Sequence, residues 1–201
     1  PLTFDGCYRV DPEHPLAVPA PGDSTITTML TVSASSGEIL RSACTLEPVT
    51  GVYMGDTYVA LTHVRWDLEE GGTMVHLLDR DSFDYIGSEK VEGDLYSGGN
   101  VDFRISESSG ALRLVTTQWT GDPEDSFRHR LYVVGPEANA PELEVLGVLG
   151  DDPEVRIGKP NEDLYGVRFM GDRAYMVTFE RIDPLYVCLL YTSPSPRDTM
   201  S

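Results

Sequence analysis

At 201 residues the chain is the size of one domain, and 33 Asp and Glu against 15 Lys and Arg give it a net charge of -18. A field of that sign repels a phosphate backbone and argues against nucleic-acid binding. The 40% hydrophobic content supports a packed core rather than a disordered acidic tail, and the longest apolar run, 185–191, falls well short of the roughly 18 residues of a membrane helix.

The chain opens at Pro1 with neither an initiator Met nor a charged-then-apolar leader, so it reads as an internal piece of a longer protein. Residues 2–23 are rich in Pro and read as a long loop. Thr27-Thr28-Met29-Leu30-Thr31-Val32, a Ser35-Ser36-Gly37 turn and the run from Ile39 predict a hairpin, half of a larger unit at about 25–46. A full unit at about 52–93 then begins with Gly51-Val52-Tyr53-Met54-Gly55-Asp56 and the β-branched and aromatic run Tyr58-Val59-Ala60-Leu61-Thr62. Thr73-Met74-Val75-His76-Leu77-Leu78 and the segment 83–91 complete it.

A second full unit, about 101–150, starts with VDFRISESSGALRLVTT, turning at Gly110. It continues through Arg130-Leu131-Tyr132-Val133-Val134 and Leu143-Glu144-Val145-Leu146-Gly147-Val148-Leu149. The last, at about 166–187, is again half a unit. There Met170-Gly171-Asp172 followed by Arg173-Ala174-Tyr175-Met176-Val177-Thr178 repeats the pattern of Met54-Gly55-Asp56, and Thr62, Thr116 and Thr178 close the corresponding strands. No stretch of ten or more residues has helical periodicity with caps. Four short strands per repeat of about 50–60 residues fit the blade of a β-propeller. The expected fold is all-β, an incomplete β-propeller of about three blades of four-stranded antiparallel sheet.

The run from Tyr58 through Arg65-Trp66, and above all YGVRFMGDRAYMVTFERIDPLYV at 165–187, resembles the secreted bacterial β-propeller family distantly related to WD40 repeats. The resemblance covers most of 45–187 and is thin over 1–24. It implies a secreted or envelope-attached bacterial propeller, periplasmic or at the cell surface, and it supplies no catalytic residue. The Asp-Leu-Ser that continues the family pattern is replaced by Leu189-Leu190-Tyr191. From Cys188 the chain reads CLLYTSPSPRD, which resembles translated sequencing-adapter DNA. The expected natural domain is therefore 1–187, with 188–201 a non-native tail on a metagenomic fragment.

Asp79-Arg80-Asp81-Ser82-Phe83-Asp84 offers alternating carboxylates on a turn. Asp79, Asp81 and Asp84 are the residues to ligate a hard cation such as Ca²⁺, against the alternative of an Asp-rich turn bonded to its own backbone. Glu124-Asp125 and Asp151-Asp152 read as solvated loop charges, and His14, His63, His76 and His129 lack metal-ligand spacing. His76 alternates with apolar neighbours and reads as structural. No nucleophile elbow, phosphate loop or dinucleotide fingerprint is present, so no catalytic residue and no cofactor is assigned.

Once Cys188 is set aside, Cys7 and Cys44 either pair in an oxidising compartment or stay as buried thiols. His63, Arg65 and Trp66 follow the end of one repeat strand and Trp119 the end of another. As a rim they suit protein or sugar recognition, and as core they suit packing. The functional expectation is a binding or scaffold module for an extracellular protein or carbohydrate. The alternative is an extracellular hydrolase with acidic residues gathered at the propeller channel mouth.

Overall fold

In TTMLTV the residues Thr27, Met29 and Thr31 alternate with Thr28, Leu30 and Val32, so one face of the strand is half-buried and the other exposed. The strand Gly51–Met54 and the strand Arg173–Phe179 keep the same period of two, whereas the central strands are buried on both faces. The computed structural model describes residues 7–8, 25–45, 47–65, 71–95, 103–138, 142–179 and 185–189. It is all-β, with a 3₁₀ turn at Pro153–Val155.

Four sheets follow one another along the chain. The first contains β2 (Thr27–Val32) and β3 (Ile39–Thr45), with the short β1 (Cys7–Tyr8) added in parallel to the free edge of β3. The second is the four-stranded meander β4 (Gly51–Met54), β5 (Tyr58–Arg65), β6 (Gly72–Asp79) and β7 (Tyr85–Val91). The third repeats that order with β8 (Ile105–Ser108), β9 (Ala111–Trp119), β10 (Phe127–Pro136) and β11 (Leu143–Leu149). The fourth holds β12 (Asp163–Met170), β13 (Arg173–Phe179) and β14 (Leu185–Leu189). Every neighbouring pair except β1 and β3 is antiparallel and consecutive in sequence, as short hairpin turns require.

The sheets stack face to face, and burial records which faces are covered. β5 and β6 are buried along almost their whole length because the second sheet lies between the first and the third. Val59, Leu61, Leu78 and Phe83 pack with Ala43 of the first sheet, whereas Ala60, Val75, Leu77 and Val91 pack with Leu112 and Leu114 of the third. On its other face the third sheet packs Val115, Leu131 and Val133 against Leu164 and Met176 of the fourth. β13 alternates between buried and exposed residues, the pattern of a strand with one covered face. Each fully buried Leu or Val contributes about 1.5–3 kcal/mol of transfer free energy, so the three interfaces dominate the stability.

The two Met-Gly-Asp copies turn differently. In the fourth sheet Met170 pairs with Arg173, which leaves Gly171 and Asp172 at the tip, with Gly171 at φ 59°, where a glycine is unstrained. In the second sheet Gly55 N donates to Tyr58 O and Met54 pairs with Val59, so Asp56 and Thr57 form the tip instead. The difference originates in the third sheet. The Glu107 carboxylate accepts from Thr57 N (3.0 Å) and Tyr58 N (3.2 Å), which aims both tip amides across the sheet interface. A Cβ on Gly55 would overlap Glu107 Oε2, so glycine is what lets that carboxylate approach.

Candidate functional site

β5 and β9 end at the same edge of the stack, and the residues read as a rim divide there by burial. His63 and Arg65 lie inside, 7% and 4% exposed, whereas Trp119 is 66% exposed. Trp66 lies outside the described residues. The Trp119 ring stands edge-on against Phe127 at 5.2 Å between centroids, and Phe127 in turn stacks on the buried His129 at 6.3 Å. The loop beyond Trp119 is held from within. Thr120 N donates to Ser126 O (3.0 Å), Asp122 Oδ1 accepts from Glu124 N (2.9 Å) and Ser126 N donates to Asn161 Oδ1 (3.0 Å). Arg156 pairs with Asp125 at 2.6 Å, and that hydrogen bond, reinforced by the guanidinium charge, holds the Asp125 carboxyl below its ordinary range. The result is an aromatic platform on a braced loop.

The Asp79 turn is organised around its own backbone. Asp79 Oδ1 accepts from Ser82 N (2.8 Å), Asp81 N (2.9 Å) and the Ser82 hydroxyl (3.0 Å). The bonds from Ser82, backbone first and hydroxyl second, hold the Asp79 carboxyl below its ordinary value. Phe83 completes the turn at φ 63°, an uncommon conformation for a bulky residue, with its N–H donated to Asp79 O at 2.9 Å and its ring in the core between the first two sheets. Asp81 and Asp84 are exposed, and among the described residues no group of three His, Cys, Asp or Glu side chains is arranged to hold a metal ion.

A buried polar chain at the joint of the first two sheets was not anticipated. Glu47, in the connector after β3, places Oε2 3.0 Å from His76 Nε2 and 3.6 Å from His63 Nδ1. His76 Nδ1 meets the Ser88 hydroxyl, and Ser88 Oγ lies 2.5 Å from Tyr85 OH. Glu47, His63, His76 and Ser88 are all buried. A cavity of about 20 Å³, room for one water, lies beside them and is lined by Cys44, Thr45, His76 and Tyr85. Alternation along Met74-His76-Leu78 signals that His76 points inward. Ser88 is its register partner across the β6–β7 hairpin, whereas no signal links it to Glu47, which comes from the connector after the first sheet.

Polar side chains also stitch the other interfaces. Arg104 donates to Thr117 Oγ1 (3.1 Å) and Leu164 O (3.1 Å). His129 Nε2 meets Glu162 O at 2.8 Å, and Thr178 donates to the buried Glu162 carboxylate at 2.6 Å. Burial pulls the His129 imidazole below its ordinary value in spite of the bond to Glu162. Arg130 is 4% exposed and is satisfied by Glu92 (2.9 Å), Asp151 (3.0 Å) and Gln118 (2.8 Å). These are ordering contacts between sheets. Cys44 is disulfide-bonded and sits opposite Cys7 in the register, and Cys188 is a free buried thiol.

Comparison with known proteins agrees with this architecture of repeated antiparallel sheets. The chain is 32% identical over 125 residues to an uncharacterized protein of Methanocaldococcus jannaschii, an alignment covering 62% of this chain and 18% of that protein. The chain therefore spans less than a fifth of the length of the relative it matches. The family model of the β-propeller domain matches residues 8–198, and the chain belongs to that family.

Proposed function

We propose that the chain is part of a secreted or cell-envelope bacterial propeller that serves as a binding or scaffold module for an extracellular protein or carbohydrate. The observation that carries this reading is the Trp119 platform. A large amphipathic ring stands in solvent, backed by Phe127 and flanked by a loop that is already ordered, so little conformational entropy is lost when a partner covers it. The -18 charge favours neutral or basic partners over acidic ones. The hydrolase alternative calls for a carboxyl raised toward neutrality as proton donor. Among the described residues the carboxyls that depart from their ordinary values, Glu47, Asp79 and Asp125, all move down, the direction opposite to the one such a donor needs.

The test is a glycan and peptide array probed with the wild-type chain and with Trp119→Ala. Loss of at least about tenfold in affinity at an unchanged melting temperature is expected, equivalent to roughly 1.4 kcal/mol. Equal binding by both proteins would refute the platform. In the same reading residues 188–201 are a non-native tail. Sequencing the gene across Val187 tests that point, since a coding sequence unrelated to an adapter would overturn it.

A further inference from the structure

The joint between the first and second sheets contains a titratable cluster that the Trp119 surface does not use. Glu47 is fixed to the first sheet through Thr27 of β2, whose hydroxyl donates to Glu47 O (2.9 Å) and accepts from Val49 N (3.3 Å). Its carboxylate reaches the second sheet, where Oε2 faces His76 of β6 and His63 of β5. The two imidazoles are not equivalent. His76 is bonded at both ring nitrogens, to Glu47 and to Ser88. His63 Nδ1 is buried and has no hydrogen-bond partner. Its 3.6 Å separation from Glu47 Oε2 is too long for a hydrogen bond.

Among the described residues the other charged groups on this face are Arg65, two residues further along β5, and Lys90 of β7, which the register places in the row of His63 and Met74. Both cations oppose a positive charge on His63, and the Glu47 carboxylate in contact with the ring favours it. We propose that Glu47, His63 and His76 form a proton-operated clamp between the first two sheets. In mild acid a proton from solvent binds His63 Nδ1 and turns the open contact with Glu47 Oε2 into a charge-assisted hydrogen bond.

Imidazole is the side chain whose charge ordinarily changes between about pH 5 and pH 8. The acceptor survives at that pH. Burial pushes the Glu47 carboxyl up, but the His76 hydrogen bond and the charges of His76 and His63 outweigh it and hold the group below the usual carboxylate range. A hydrogen bond that forms only with the protonated ring adds stability as pH falls, so the proposed clamp tightens from neutral to mildly acidic pH. It opens again once the pH drops through the depressed Glu47 value.

The experiment melts the wild-type chain and His63→Gln between about pH 8 and pH 5.5, and follows the imidazole C–H resonances by NMR in the wild type and in Glu47→Gln. Relief of the net negative charge raises every melting temperature in acid and cancels in the difference between proteins. The expected result is a gap between wild type and His63→Gln that widens by about 3 °C toward acid. The His63 resonance should also titrate at a lower pH in Glu47→Gln than in the wild type. A gap that does not change with pH, or His63 titration curves that coincide in the two proteins, would overturn the clamp. If His63→Gln does not fold, the NMR comparison decides alone.

Discussion

Replacing Glu107 by Ala removes a carboxylate that reaches from the third sheet to the turn of the second. The side chain accepts from Thr57 N at 3.0 and 3.2 Å and from Tyr58 N at 3.2 Å. A hydrogen bond to a charged group contributes about 1.5–3 kcal/mol when buried. Thr57 is exposed and Tyr58 half-buried, so water recovers part of the loss, and about 1–2 kcal/mol is expected for the pair of amides. For a chain of this size that lowers the melting temperature by roughly 2–8 °C.

Gly55→Ala should destabilise by a similar amount, because the new Cβ overlaps Glu107 Oε2 and pushes the carboxylate off both amides. The two effects share one cause, so they must not add. In the Glu107→Ala background the nearest atoms left to the methyl group introduced at position 55 include Tyr53 Cε1 at 3.1 Å and the position-107 Cβ at 3.2 Å, contacts that a shift of a few tenths of an ångström relieves. Thermal melts of the wild type, both single variants and the double variant form the cycle. A double variant that loses the sum of the two single losses would refute the claim that Glu107 sets this turn.

Four further outcomes follow from the geometry and the charge. Burial raises the Cys188 thiol to about 11, so iodoacetamide at mildly alkaline pH should label it only after unfolding. Non-reducing mass spectrometry should find Cys7 and Cys44 joined, and free thiol at both positions would sink that pairing. The Arg156 hydrogen bond depresses the Asp125 carboxyl, so its stabilisation is present above the ordinary carboxylate value and is lost as pH falls through the lower folded-state value. Asp125→Asn should accordingly flatten the acid side of the stability curve, by about 1 kcal/mol at most for a pair roughly one-third exposed, and an unchanged acid limb in urea titrations would refute it. With a net charge of -18 the melting temperature should rise between low salt and about 1 M NaCl as self-repulsion is screened, and a fall would contradict that reading.

The elements themselves were legible because they follow from local chemistry. β-Branched and aromatic runs marked β5 and β13, alternation around His76 marked β6, and Gly-Asp turns at Gly55-Asp56 and Gly171-Asp172 marked both hairpin tips. The same logic placed the tip of the β4–β5 hairpin one residue too early, because Glu107 arrives from a strand some fifty residues away. Of the residues read as rim or core, Trp119 stands in solvent, whereas His63 and Arg65 are covered, since β5 packs on both faces. The parallel strand at Cys7–Tyr8 fell within a segment that composition marks as loop.

What the amino-acid order determined alone is the repeating unit, a run of short β-branched and aromatic strands punctuated by Gly, Asp and Ser, together with the acidity of its surface. Strand period and turn chemistry act over a few residues, so they can be read there. The stacking decided the rest. It chose which faces are buried and left Trp119 outside. It brought Glu47, from the connector after β3, against His63 and His76 of the second sheet, where strand pairing already sets His76 opposite Ser88. Those choices depend on which sheet lies against which, and contacts across that distance leave no periodic trace in the chain.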